Sequence, residues 1–286
     1  MQREEGRFAG AGGVELYYQG WRPGAEPRAS VALVHGVGEH GGRYANLVGP
    51  LVDDGYAVYA YDQRGHGRSP GLRVHIDRWA EYRDDLGAFL RLVGEQAPGR
   101  PLVVYAHSMG SLVVLDYLLE ETDGDRPSGL TAAVVSGVPL EPAGVGSPLL
   151  IAVARLLSGV RPRQSLDLGL DAAALSRDPA VVAAYRADPL VTSRATVRWG
   201  TESLDTVRRI KADMSRIDVP LLVVHGEADR LNLAEGARAL AEASSHSGTT
   251  LKIYPGVYHE PHNDLEHETV VADVREWVGR VTAASA

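Results

Sequence analysis

Leu102-Val103-Val104-Tyr105-Ala106-His107-Ser108-Met109-Gly110-Ser111 runs straight on into Leu112-Val113-Val114-Leu115. It is an apolar, β-branched run, then a serine among small residues, then a second apolar run. A strand buried on both faces reads as a continuous apolar run rather than an alternating one. The small residues Ala106 and Gly110 let the backbone turn sharply out of that strand into a helix. Such a turn predicts a strained Ser108 at the strand's C-terminal end, with its hydroxyl exposed. The helix behind it offers free N–H groups to a developing negative charge. This is the pattern of a nucleophile elbow, with Ala106 where the first glycine of G-x-S-x-G usually stands. Taken alone, the same residues also suit a serine that caps a helix. The rest of the chain decides between the two.

Outward from this stretch, strands and helices alternate. Residues 14–21, 31–35, 56–61 and 132–136 read as strands, and 44–54 carries apolar positions at helical spacing. The segment 79–94 is an amphipathic helix with Trp79, Tyr82, Leu86, Phe89, Leu90 and Val93 on one side. After Val138 the rhythm breaks. From 139 to 206 there are helical patterns at 148–158, 179–187 and 197–210, and no good strand. Alternation resumes with a strand at 219–225, a helix at 233–243, a strand at 250–254 and a closing helix at 268–281. This order predicts an α/β fold, a mostly parallel twisted sheet flanked by helices. Residues 1–138 and 207–286 form the expected core domain, and 139–206 an inserted helical cap, because so long a structureless loop is uncommon.

The 286 residues carry a formal net charge of −8, with 44% hydrophobic and 23% charged residues. That balance belongs to an ordinary globular protein and argues against a nucleic-acid binder, which usually presents a basic surface. The chain has no cysteine, which excludes disulfides, thiolate nucleophiles and cysteine metal sites. The charged N-terminus leads into no apolar core, so no signal peptide is read. No apolar stretch approaches the roughly 20 residues that span a bilayer. A cytoplasmic protein is expected, with transient membrane-surface contact left open. The oligomeric state is not legible.

A serine hydroxyl needs a base to become a nucleophile, and the base needs an orienting carboxylate. In doubly wound sheets such partners stand just beyond the C-terminal ends of strands. Asp229 follows the 219–225 strand in His225-Gly226-Glu227-Ala228-Asp229, and His259 follows the last strand in Tyr254-Pro255-Gly256-Val257-Tyr258-His259. The chain order Ser108, Asp229, His259 is that of an α/β-hydrolase triad. The blander readings make Asp229 a cap for the helix near Leu233 and His259 a turn residue. For an oxyanion, the Met109 N–H directly follows the serine. The Val37 N–H in His35-Gly36-Val37-Gly38 is the expected second donor.

Several stretches together resemble the monoacylglycerol lipase and lysophospholipase group, S33-like members of the α/β-hydrolase superfamily. They are His35-Gly36-Val37-Gly38-Glu39-His40 with Arg43-Tyr44, Asp62-Gln63-Arg64-Gly65-His66-Gly67-Arg68-Ser69, and His107-Ser108-Met109-Gly110. Asp188-Pro189-Leu190-Val191, His225 to Asp229 and Tyr254 to Glu260 complete the set. The resemblance implies hydrolysis of a lipid-like ester, a long-chain monoacylglycerol, at Ser108 with Asp229 and His259, the acyl chain lying under the cap. It implies no cofactor and no metal. A lysophospholipase or general carboxylesterase is the near alternative. The elbow departs from the group's Gly-His-Ser-Met-Gly-Gly at Ala106 and Ser111, both small.

Three other features compete. Gly36-Val37-Gly38-Glu39-His40-Gly41, with Asp62 about 20 residues on, matches a dinucleotide fingerprint on paper, which would make the chain an NAD(P)-dependent oxidoreductase. It leaves the elbow, Asp229 and His259 unexplained. His259-Glu260-Pro261-His262 lacks the H-E-x-x-H spacing of a zinc helix. Arg64 and His66 read as loop-fixing groups. The apolar 148–158 stretch suits either a lipid-facing helix or the cap's own core. A hydrolase fold that only binds is the remaining class, and the filled triad positions argue against it.

Overall fold

The computed structural model describes residues 1–120, 130–144 and 148–285. Its elements in chain order are β1 (Gln2–Ala9), β2 (Glu15–Arg22), β3 (Ser30–Val34), α1 (Ala45–Asp53), β4 (Ala57–Tyr61), α2 (Ala80–Gln96), β5 (Leu102–His107), α3 (Met109–Glu120) and β6 (Leu130–Ser136). There follow α4 (Pro148–Val160), β7 (Ser165–Asp167), α5 (Pro179–Ala187), β8 (Arg194–Thr196), α6 (Val197–Asp213), β9 (Leu221–Gly226), α7 (Ala234–Ala243), β10 (Thr250–Tyr254) and α8 (His267–Ala284). Eight strands make one sheet in the order β1-β2-β4-β3-β5-β6-β9-β10. β2 runs antiparallel to both β1 and β4, and the other neighbouring pairs are parallel.

The unbroken apolar runs split by the strand's two-residue period. Val31 and Leu33 of β3, with Val103 and Tyr105 of β5, pack in the layer of α1 and α8, against Leu47, Leu51, Val274 and Trp277. Ala32 and Val34, with Leu102, Val104 and Ala106, pack in the layer of α2 and α3, against Leu86, Phe89, Leu112 and Leu115. Each such side chain fully buried contributes about 1.5–3 kcal/mol of hydrophobic stabilisation. That is why the central strands are apolar on both faces.

β1 escapes the sequence pattern for a physical reason. It is an edge strand whose side chains face solvent, and only Phe8 of its eight residues is buried. Its charges blunt the open edge and leave no apolar run to read. The expectation of no strand between 139 and 206 is also corrected. β7 and β8 pair antiparallel over three residues each, too short for any periodicity to show. The segment between β6 and β9 holds α4, α5, α6 and this ribbon, with a small apolar cluster of Ala172, Leu175 and Val182. Residues 145–147 of it lie outside the described residues. α6 runs unbroken through residue 206, and Ile210 near its far end belongs to the main core.

The sheet order reverses at β3 and β5, since β3 leads to β4 on one side and β5 to β6 on the other. Ligands in such sheets bind outside the strand ends at this switch point. The loops after β3 and β5 therefore meet there, and they carry Val37 and Ser108. Gly38 (φ 72°) accepts a bond from Thr192 N at 2.8 Å, and a Cβ at Gly38 would lie 2.2 Å from the Thr192 carbonyl oxygen. Only glycine fits that approach. The glycine that a dinucleotide fingerprint would keep for a pyrophosphate is thus covered by the chain's own backbone.

Candidate active site

Ser108 directly follows β5 with φ at 51°, a left-handed conformation that costs a non-glycine residue about 1–3 kcal/mol. The turn is locked from outside. Ser108 N donates to Ser136 O at 2.8 Å, and α3 starts hard against the end of β3. A Cβ on Gly110 would stand 2.3 Å from the Val34 carbonyl oxygen, so this position requires glycine. The departures at Ala106 and Ser111 fit the turn. Ala106 is an ordinary strand residue, and the Ser111 hydroxyl bonds the Ala106 and Ser136 carbonyls at 3.2 and 3.1 Å.

Ser108 Oγ lies 3.0 Å from His259 Nε2, and His259 Nδ1 lies 2.8 Å from Asp229 Oδ2. All three are buried. Because Asp229 can only accept, Nδ1 carries the proton, and Nε2 is left to accept from the Ser108 hydroxyl. The structure thus brings together all three residues expected from the sequence. Asp229 is no helix cap, since Leu233 stands at the start of α7. Its Oδ1 instead accepts from Leu231 N and Asn232 N at 2.8 and 3.0 Å, which fixes the carboxylate in its loop.

Val37 and Met109 line the same cavity as Ser108 and His259, a space of about 880 Å³. Met109 is the first residue of α3, where helix N–H groups lack intrahelical partners. The Gly36 N–H next to Val37 is held by Glu39 Oε1 at 2.6 Å. The cavity's apolar lining includes Val197, Leu204 and Val207 of α6, with Leu168, Leu170 and Leu112.

A sequence model of the family described as serine aminopeptidase, S33, matches residues 25–266. The chain belongs to this S33 hydrolase family. A monoacylglycerol lipase of Mycolicibacterium smegmatis is 39% identical to it over 96% of this chain and 97% of its own length. Human monoglyceride lipase is 32% identical over 96% of this chain and 90% of its own. The crystal structure of Paleococcus ferrophilus monoacylglycerol lipase superposes with a TM-score of 0.83 at 32% identity, covering 96% of this chain and all of that one. The architecture is that of the α/β-hydrolases, and the chain is an ester hydrolase.

In this S33 hydrolase, burial by itself weakens the grip of His259 on a second proton, but the Asp229 charge and hydrogen bond outweigh it. The imidazole is raised above its ordinary value of 6.5. Burial would raise Asp229, yet His259 and His225 outweigh that and hold its carboxyl well below the usual range. A base must be unprotonated to accept the serine proton. kcat/KM is therefore expected to be level in mild alkali and to fall as pH drops, with its midpoint above 6.5. A pH–rate profile with a midpoint below 6.5 would contradict the pairing.

The sequence reading assigned no role to a second buried cluster beside the triad. Arg43 donates to Glu39 Oε2 at 2.6 Å and clasps both Glu260 oxygens at 2.8 and 2.9 Å. Tyr185 of α5 lays its ring 4.7 Å from the guanidinium. Glu39, Arg43, Tyr185 and Glu260 all line the cavity. The spacing Glu39–Arg43 was the only local signal for this ion pair, because Glu260 is 217 residues away from Arg43. Arg43→Ala leaves two buried carboxylates without their cation and is expected to cost about 3–5 kcal/mol in urea unfolding. Burial pushes Glu260 up, but Arg43 outweighs it and the net shift is down. The Glu260 contribution is therefore present above the ordinary glutamate range and lost as pH falls below it. The stability of Arg43→Ala should converge on that of the wild type in acid.

Glu260 is thus occupied, and the His262 ring stacks 4.6 Å from Tyr44. Among the described residues no group of three or more His, Asp or Glu side chains is placed to hold a metal. Arg64 clasps Asp85 at 2.6 and 2.7 Å and Glu81 at 2.9 Å. His66 packs 5.2 Å from His35. Both act on the loop, as their sequence context suggested.

Proposed function

We propose that Ser108, His259 and Asp229 form a catalytic triad that hydrolyses monoacylglycerols to fatty acid and glycerol. The observation that carries this reading is the hydrogen-bonded Ser108–His259–Asp229 chain opening onto a cavity of about 880 Å³ with a mainly apolar lining. Ser108 attacks the ester carbonyl carbon as His259 Nε2 takes its proton, with Asp229 holding the imidazolium. The Val37 and Met109 N–H groups hold the oxyanion. His259 returns the proton to the glycerol oxygen, and glycerol leaves. A water then gives a proton to His259 and attacks the acyl-enzyme, and the fatty acid departs as Ser108 recovers its hydrogen.

Residues 139–206 act as the cap over the acyl chain, and a cavity of this size suits a ligand of drug or lipid dimensions. An aminopeptidase would need a carboxylate free to bind the substrate's ammonium group. Here the two buried carboxylates beside Ser108, Glu39 and Glu260, are both spent on Arg43, which favours the neutral ester.

The α4 stretch has two faces, and each supports one of the sequence readings. Ala154 lines the cavity and Ser158 bonds Thr201 of α6. Leu149, Val153, Leu156 and Val160 form an outward stripe, exposed by 73%, 45%, 69% and 68%. A lipid surface is the proposed contact of that stripe. No helix among the described residues is long and apolar enough to cross a membrane.

Fatty-acid release from monoacylglycerols, diacylglycerols, lysophospholipids and short soluble esters tests the reading. Preferential release from monoacylglycerols is expected. Turnover of short esters alone would replace it with a general carboxylesterase.

A further inference from the structure

His225, the second-last residue of β9, is fully buried and lines no part of the cavity. Its Nε2 lies 2.9 Å from the Asn232 carbonyl oxygen and 3.3 Å from Asp229 Oδ2. Both neighbours can only accept, so Nε2 carries the proton. Nδ1 has no hydrogen-bond partner among the described residues.

Among the described residues three N–H groups donate to the Asp229 carboxylate, Leu231 and Asn232 to Oδ1 and His259 to Oδ2. The Nε2–H of His225, donated to the Asn232 carbonyl, stands 3.3 Å from the same Oδ2 and turns its positive end into that oxygen's field. Asn232 is tied into the arrangement from both ends. Its backbone accepts from His225, and its side chain donates to Gly137 O at 2.9 Å.

We propose that His225 is a positioning residue that shares the Asp229 carboxylate with His259 and moderates how strongly that carboxylate holds the proton of the triad histidine. Each donor on a carboxylate draws off part of its charge. Without the His225 N–H, more of that charge acts on His259, and the protonated imidazole persists to higher pH. Other groups face His259 as well. His107 of β5 lies with its ring 4.8 Å away, Glu39 acts from the loop after β3, and Glu260 adjoins it on its own segment. Arg43 and His262 stand behind these. A change at His225 leaves all of them in place.

The proposal rests on the triad reading above, so its test uses a readout that separates the two. The rate at which a fluorophosphonate labels Ser108 is measured against pH in wild type, His225→Phe and His225→Gln. His225→Phe keeps the ring and removes the donor, whereas a glutamine amide restores a donor near the Nε2 position. The labelling midpoint is expected to move up by about one pH unit in His225→Phe. It should return towards wild type in His225→Gln, with a plateau rate within a few-fold in both. A folded His225→Phe with an unchanged midpoint overturns the proposal, and so does a His225→Gln midpoint that stays displaced. If His225→Phe does not fold, ¹⁵N ring shifts of the wild-type protein decide. His225 must carry its proton on Nε2, and a ring protonated on Nδ1 alone would overturn the assignment. Absence of labelling in the wild type would count against the triad itself.

Discussion

Ser108→Ala is expected to lower kcat for ester hydrolysis by roughly 10⁴-fold or more while leaving the fold intact. Among the described residues the Ser108 hydroxyl has one side-chain partner, His259, so its removal strands no other group there. The backbone already carries a Cβ at φ 51°, and alanine inherits that strain unchanged. What disappears, on the proposed mechanism, is the atom that forms the acyl-enzyme. The rate that remains reflects water attacking an ester held by the cavity and by the Val37 and Met109 N–H groups. Steady-state kinetics beside a melting curve make the check. A variant within tenfold of wild type, or one that has unfolded, would contradict the role drawn for Ser108.

Asp229→Asn should be nearly as damaging, by roughly 10⁴-fold in kcat, and for a reason set by the neighbours. Leu231 N and Asn232 N both donate to Oδ1, so the asparagine oxygen is retained on that side. Its NH₂ is then forced into the place of Oδ2, facing His259 Nδ1 and the Nε2–H of His225. Nδ1 must accept from the amide, Nε2 takes the ring proton, and the imidazole can no longer accept from Ser108. A folded Asp229→Asn protein with kcat within tenfold of wild type would show that the carboxylate does not set this tautomer.

The meeting of Ser108, Asp229 and His259 was legible because each follows a strand that announces itself. Ser108 sits between two apolar runs, Asp229 follows Leu221–Gly226 and His259 follows Thr250–Tyr254. A parallel sheet buried on both faces converts chain order into position, so strand ends become neighbours. The features that stayed hidden are those in which burial and sequence pattern part company. β1 is an edge whose side chains face water, and β7 and β8 are three residues each. The Arg43 cluster depends on loops meeting across the sheet. No spacing along the chain encodes the 217-residue reach from Arg43 to Glu260. The glycines after β3 looked like a phosphate cradle because small residues serve any close approach. At Gly38 the approaching group is Thr192.

The most direct test of the account is where a fluorophosphonate probe attaches. Intact-mass and peptide mass spectrometry on the wild-type protein should find one adduct, on the peptide that carries Ser108. That adduct should be suppressed by excess monoacylglycerol and absent from Ser108→Ala. An adduct on a different residue, or one that persists in Ser108→Ala, would contradict the assignment of Ser108 as the nucleophile.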